Sequence, residues 1–232
     1  MMSTCGTAHA AAHHAQQRTD LSSPLLADRL RLETRDLHAA AERAGAMAEL
    51  LRGQLALPRY RALLCNLLAI YVALECALDA RQTDPHVAPV HLPQLFRAAA
   101  LASDLAVLRV QAEPQPVLKD AAAAYALRLA QLAKTGSPAL VAHAYVRYLG
   151  DLYGGQTLKR VVTKAYGLGE DSTQFYEFGD AAAVQAQRLA FRAALAAVPA
   201  TPVEADLIVA EARWAFEQHQ RLFEQLMVRP EA

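Results

Sequence analysis

Two short runs of this chain carry side chains whose types and spacing could do chemistry. The first is LRLETRDLHAAAE (30–42), in which Arg31, Thr34, His38 and Glu42 recur at intervals of three, four and four. On a helix such intervals fall on one face, so an imidazole stands one turn before a carboxylate. Glu42 is placed to orient the His38 ring in the way carboxylates orient metal-bound histidines; a solvated polar stripe would show the same spacing. The second run is ALVAHAYVRYLGDLYGGQTLKRVVTKAY (139–166). At about 100° per residue, His143, Arg147, Gly150, Asp151 and Gly154 share one side of that helix. Each interior glycine costs about 1 kcal/mol relative to alanine, and this segment holds Gly150, Gly154 and Gly155. A glycine face either lets another helix pack closely or offers bare backbone to a ligand. The Arg147–Asp151 pair favours the ligand, since a packing notch needs no carboxylate beside it. A flat hydrophobic molecule lying on the glycines fits.

The elements that must position these runs are helices. Ser23-Pro24, Ser137-Pro138 and Thr201-Pro202 each set a capping hydroxyl before a proline suited to a first helical turn. Glu204 completes a capping box with Thr201. Gly45, Gly53, Gly136 and Gly167 stand where helices should stop. The pattern predicts helices over 24–44, 46–52, 58–81, 93–109, 116–135, 138–166, 181–198 and 202–227, joined in part by the proline-rich stretches 85–93 and 111–116. Neither an alternating strand pattern nor an internal repeat is present. The expected fold class is all-α: one helical domain over 23–232 behind a tail of Ala, His, Gln and Thr over 1–22.

Composition narrows the function. Hydrophobic residues make up 54% of 232, enough to build a core and too many for a disordered chain. Lys+Arg and Asp+Glu are each 23, so no net field draws the chain to nucleic acid or an anionic membrane. Cys5, Cys65 and Cys76 form no metal-spaced cluster, and no Cys-x-x-Cys-His for covalent haem attachment occurs. The most apolar stretch, Leu63 to Leu78, is broken by Asn66 and Glu75, which argues against a membrane anchor. A cytoplasmic location is expected, as a monomer or weak dimer.

LRLETRDLHAAAE resembles the proximal-helix motif of haem oxygenases, and LVAHAYVRYLGDLYGGQTLKR (140–160) resembles their distal-helix signature. IYVALE (70–75), APVHLPQL (88–95), LASDLAVL (101–108) and EARWAFEQHQRLFEQL (211–226) match further parts of that family in its order, covering nearly everything after residue 25. The resemblance implies a multi-helix fold with haem b held between proximal and distal helices. It gives His38 as the iron ligand, with Glu42 nearby, and Arg31, Tyr145, Arg188 and Arg192 as the groups that hold the haem propionates. It gives Gly150 and Gly154 as the distal surface pressed on the ring, and Asp151 as the anchor of distal water, supported by Arg147 and Tyr71. Arg31 and Arg188 stand where many relatives carry Lys. Tyr153 replaces a residue that is commonly small, and His219 replaces a common Asn.

The activity so implied is oxidative opening of haem by molecular oxygen to biliverdin, carbon monoxide and ferrous iron, with haem both cofactor and substrate. A histidine ligand without thiolate push, and a carboxylate acting through water rather than a strong distal acid, suit attack on the ring itself. Electrons must come from an external reductant, a reductase or ferredoxin-like protein, because the chain has no nucleotide-binding glycine motif and no cluster cysteines. The main rival is a haem carrier or sensor that does not degrade its ligand. A di-iron carboxylate enzyme would need Glu-x-x-His pairs, which the sequence lacks, and a related helical fold of thiamine-type metabolism would not require His38 and Asp151.

Overall fold

The structure, a computed structural model, describes residues 25–108 and 116–228. The tail over 1–22 and the Ser23-Pro24 cap lie outside the described residues. Among those described, every regular element is helical. In chain order they are α1 (Leu26–Glu42), α2 (Gly45–Leu51), α3 (Leu57–Ala80), α4 (Ala98–Val107), α5 (Asp120–Thr135) and α6 (Leu140–Ala144). A π turn (Tyr145–Leu149) leads into α7 (Gly150–Tyr166), followed by α8 (Ala181–Ala196) and α9 (Pro202–Gln225). Helices α3 and α9 organise the packing: α3 lies on α4 and α5, while α9 lies on α1, α5 and α6.

Most expected boundaries hold to within a few residues, and the departures have local causes. The helix expected over 93–109 starts only at Ala98, because Pro93 opens a 3-10 turn that ends at an extended Phe96. The one expected over 116–135 starts at Asp120. Ser137 accepts a hydrogen bond from the Ala139 N–H at 3.3 Å, but regular helix begins at Leu140. The Thr201 cap forms as read, with its hydroxyl accepting from the Glu204 N–H at 3.3 Å and the Glu204 carboxylate accepting from the Thr201 N–H at 2.8 Å. Gly45, with φ +33°, is pressed so closely on α9 that a Cβ there would collide with the Phe223 carbonyl. This contact, as much as the turn, explains the glycine that opens α2.

Helix α3 is apolar and long enough to cross a membrane by composition, yet it serves as the core. Tyr60, Leu64, Ile70, Tyr71, Leu74 and Leu78 are all fully buried. The two polar residues that interrupt its apolar run fasten neighbouring segments. Asn66 accepts from the Lys119 N–H at 2.7 Å and donates to the Val117 carbonyl at 3.3 Å. Glu75 accepts from the backbone N–H groups of Arg97 and Ala98, the unpaired donors at the start of α4. Asp104, fully buried on α4, does the same for the N–H groups of Gln174 and Phe175 at 2.8 and 2.9 Å.

Helix α9 is tied to α5 and α6 by a buried carboxylate. Glu211 receives two hydrogen bonds from Arg128, at 2.9 and 2.6 Å, and one from His143 at 3.1 Å. Burial opposes the Glu211 charge, but the Arg128 and His143 hydrogen bonds outweigh it and hold the carboxyl down to about 2. Burial also lowers the His143 pKa, keeping that ring neutral, so Arg128 supplies the charge. A depressed carboxyl stabilises the fold above its unfolded pKa, and that stabilisation is lost as pH falls toward the folded value. Glu211→Gln is therefore expected to cost about 1–3 kcal/mol near neutral pH, with the difference from wild type shrinking as pH falls from 5 toward 2. Urea unfolding at several pH values checks this; a difference that stays constant with pH would refute it.

Candidate functional site

The site lies where α1, α7 and α9 meet. The π turn decides what reaches it. An i→i+5 turn holds more residues than an α turn, so the faces of α6 and α7 are rotated against one another. A straight helix would put His143 on the side of Gly150. Instead His143 is fully buried, bonded to Glu211 and set edge-on to Tyr125 at 5.0 Å between ring centroids. Tyr145, which no helical wheel selects, lines the cleft.

Two adjoining cavities of about 380 and 320 Å³ share His38, Val146, Gly150, Tyr153 and Phe216 as walls. The larger is also lined by Arg31, Thr34, Arg35, Tyr145 and Arg192. The smaller reaches Glu42, Arg147, Asp151, Gly154 and His219. The His38 side chain is half exposed and its ring meets Phe216 edge-on at 5.7 Å. Its Nδ1 lies 3.8 Å from Glu42 Oε1, an ion-pair separation rather than a hydrogen bond. A Cβ added at Gly150 or Gly154 would meet nothing within 4 Å. The glycine face is therefore open space, not a helix-packing notch; Gly155 alone turns inward, toward Tyr176 and Phe178.

Behind the glycines lies a buried polar network. Tyr71, on α3, donates its hydroxyl proton to Asp151 Oδ2. Arg147 donates to Asp151 Oδ1 at 3.1 Å, to the Tyr71 hydroxyl at 3.0 and 2.8 Å, and to His219 Nε2 at 2.9 Å. His219 Nδ1 in turn lies 2.8 Å from the Ala215 carbonyl, which fixes the proton on Nδ1 and leaves Nε2 as acceptor. Burial raises the Asp151 pKa against the opposing pull of Arg147 and Tyr71. Burial also disfavours the Arg147 charge, but Tyr71 and Asp151 more than offset it and the guanidinium is held firmly protonated. The Arg147–Asp151 pair is thus no surface pair: both side chains are about a tenth exposed.

The other expected residues divide. Arg31, Arg192 and Tyr145 line the larger cavity, where the Tyr145 hydroxyl is 3.2 Å from Thr34 Oγ1. Thr34 spends its own proton on the Leu30 carbonyl at 2.6 Å, so Tyr145 is the donor between them. Arg192 lies 4.0 Å from Asp28. Arg188 lines neither cavity: its Nε and Nη2 donate to the Leu152 carbonyl at 3.0 and 2.6 Å, and its guanidinium sits 4.5 Å from the Tyr153 ring centroid. Arg35 and Phe216 are cavity residues that sequence reasoning missed. Arg35 lies one turn beyond Arg31 and could have been found on the wheel; Phe216 needed the pairing of α9 with α1, which no local pattern encodes.

The arrangement suits a flat, apolar, anionic ligand. Bare backbone and Phe216 offer flat surface, Arg31, Arg35 and Arg192 supply cations on one side, and an imidazole stands free among them. Because the glycines face open space, Gly150→Ala and Gly154→Ala should each leave the free protein unharmed or gain up to about 1 kcal/mol. Thermal unfolding of the ligand-free protein tests this, and a clear loss of stability would mean the glycines are needed for packing.

Residues 25–225 match the family profile for heme oxygenase. Heme oxygenase 1 of the cyanobacterium Synechocystis is 36% identical over 202 residues, spanning 87% of this chain and 84% of that protein. Human heme oxygenase 1 is 34% identical over 205 residues, spanning 87% and 71%. Among solved structures, heme oxygenase-1 from Synechocystis in complex with heme superposes with a TM-score of 0.81 at 34% identity, covering 88% of this chain and 92% of that one. Heme oxygenase from Leptospira interrogans gives a TM-score of 0.80 at 30% identity, covering 87% and 100%. With the profile spanning nearly the whole described fold, the chain belongs to the haem oxygenase family.

Proposed function

We propose that this chain binds haem b across the two cavities, between α1 and α7, and opens its ring with molecular oxygen to give biliverdin, carbon monoxide and ferrous iron. The observation that carries the reading is the facing of a free, half-exposed His38 by a glycine surface on which a Cβ would meet nothing. When bound, haem supplies the iron that activates oxygen and the ring that is oxidised. His38 is the protein ligand to that iron, with Glu42 one turn away to bias the ring through the longer contact. Arg31 and Arg192 hold the propionates, joined by Arg35. Tyr145 lines the same cavity, and its hydroxyl donates to a propionate only by turning its proton away from Thr34.

On the opposite side, Gly150 and Gly154 would let backbone approach the ligand closely and narrow the space above its face. Asp151 accepts from Tyr71 and Arg147, and its remaining lone pairs can orient a water in the smaller cavity. A carboxylate working through water delivers a proton without exposing a strong acid to the oxygen. Arg147 and Tyr71 hold Asp151 in place. Electrons come from a separate reductase or ferredoxin-like protein, and the chain works in the cytoplasm.

Two substitutions test the assignment. His38→Ala should abolish the imidazole-ligated haem spectrum and turnover, with both restored by added imidazole; loss of ligation from His143→Ala instead would place the ligand elsewhere. Asp151→Ala should leave haem affinity within a few-fold of wild type while cutting biliverdin yield by roughly a hundredfold, as for loss of a positioned proton-transfer group. Normal biliverdin yield from that variant would sink the proposed role. Wild-type protein that binds haem and forms no bilin with oxygen and reductant would instead be a carrier.

A further inference from the structure

Tyr153 is the one large side chain that walls both cavities from α7, and it is half exposed there. A planar ligand spanning the two spaces must lie against this ring or be turned by it. The ring is not loose. The Arg188 guanidinium stacks on it at 4.5 Å from the centroid, and Arg188 is itself anchored by two hydrogen bonds to the Leu152 carbonyl, the residue immediately before Tyr153. One edge of the guanidinium fork is thus spent on backbone, one face on the phenol ring, and none of the side chain lines either cavity. A cation fastened in this way is poorly placed to reach a carboxylate in the cleft, whereas it fixes the angle of the aromatic plate in front of it.

We propose that Tyr153 determines how haem is rotated within its plane in this chain, and that Arg188 is a positioning residue acting through Tyr153 rather than a propionate anchor. The inference rests on the haem-binding reading above and concerns the seating of that substrate. Arg31, Arg35 and Arg192 remain as the cations on the propionate side. The Tyr153 ring blocks the seating in which a ring substituent would occupy its place, so the exposed meso edge is selected by steric exclusion together with charge.

A double-mutant cycle separates the two roles of Arg188. Haem is titrated into wild type, Tyr153→Ser, Tyr153→Phe, Arg188→Ala and the Tyr153→Ser/Arg188→Ala double variant. Affinity is read from the Soret band, and seating from the haem-methyl resonances of the ferric cyanide complex. Tyr153→Ser should change the ratio of the in-plane orientations resolved by those resonances by roughly twofold to fivefold, the scale of an exposed ring–cation contact. Arg188→Ala should shift it in the same direction, and should do nothing further in the Tyr153→Ser background. Tyr153→Phe, which keeps the plate, should seat haem as wild type does. An Arg188→Ala loss of affinity of equal size in both backgrounds would make Arg188 a direct anchor and overturn the proposal, as would unmoved seating in Tyr153→Ser or altered seating in Tyr153→Phe. Wild-type protein that takes up no haem would instead overturn the reading on which the proposal rests.

Discussion

A guanidinium and a carboxylate buried side by side must have their donors and acceptors matched, and most of the architecture answers to that demand. Arg147 and Asp151 sit one turn apart on the segment that also carries the open glycines. Left unpaired, either charge would cost several kcal/mol. The matching groups come from two other helices: the Tyr71 hydroxyl from α3, and His219 Nε2 from α9. Three helices are therefore held in one register by a single polar cluster, and the glycine face can be spared any structural contact. The cost of three interior glycines is tolerable because neighbours, not helix propensity, hold this segment in place.

Much of this was legible in the sequence, and the parts that were not share a cause. The one-face stripe of Arg31, His38 and Glu42, the glycine face and the Thr201 capping box are all local, so spacing alone placed them. The family motif supplied Tyr145 and Tyr71. What escaped was long-range or depended on a break in periodicity. The π turn over Tyr145–Leu149 contains no proline or glycine to announce it. Without it, the wheel sets His143 beside Gly150, when in fact the ring is buried against Tyr125 and Trp214. The sequence shows His219 only as a replacement for a common Asn; its bond to Arg147 spans 72 residues and only the packing of α9 on α6 and the π turn creates it. The choice of partner for Arg188 was likewise invisible, because a backbone carbonyl leaves no trace in side-chain spacing.

The cleft divides its work between its two sides. On α1 and α8, side chains stay half exposed and little constrained: His38 has no close hydrogen bond and Arg192 only a long ion pair. On the π turn and the start of α7, Arg147 and Asp151 are buried and fixed. A ligand can then draw the α1 side chains into contact while the opposite surface keeps its shape, which is the preorganisation that transition-state stabilisation requires.

Helix α9 bears the acid sensitivity that this arrangement entails. Burial and the neighbouring Arg147 push the His219 pKa from 6.5 down to about 3. Its ring therefore stays neutral and keeps accepting from Arg147 across ordinary pH, where a protonated ring would repel the guanidinium. A proton that the folded state refuses is bound by the unfolded chain, so stability from His219 declines as pH drops below about 6.5. Glu211, two turns earlier on the same helix, gives the same sign at lower pH, because its folded pKa is held down to about 2. Protonation of His219 would be felt at Asp151 as well, because the guanidinium that donates to His219 also donates to Asp151. Neutrality of His219, which walls the smaller cavity, is therefore part of what keeps the network behind the glycines in shape.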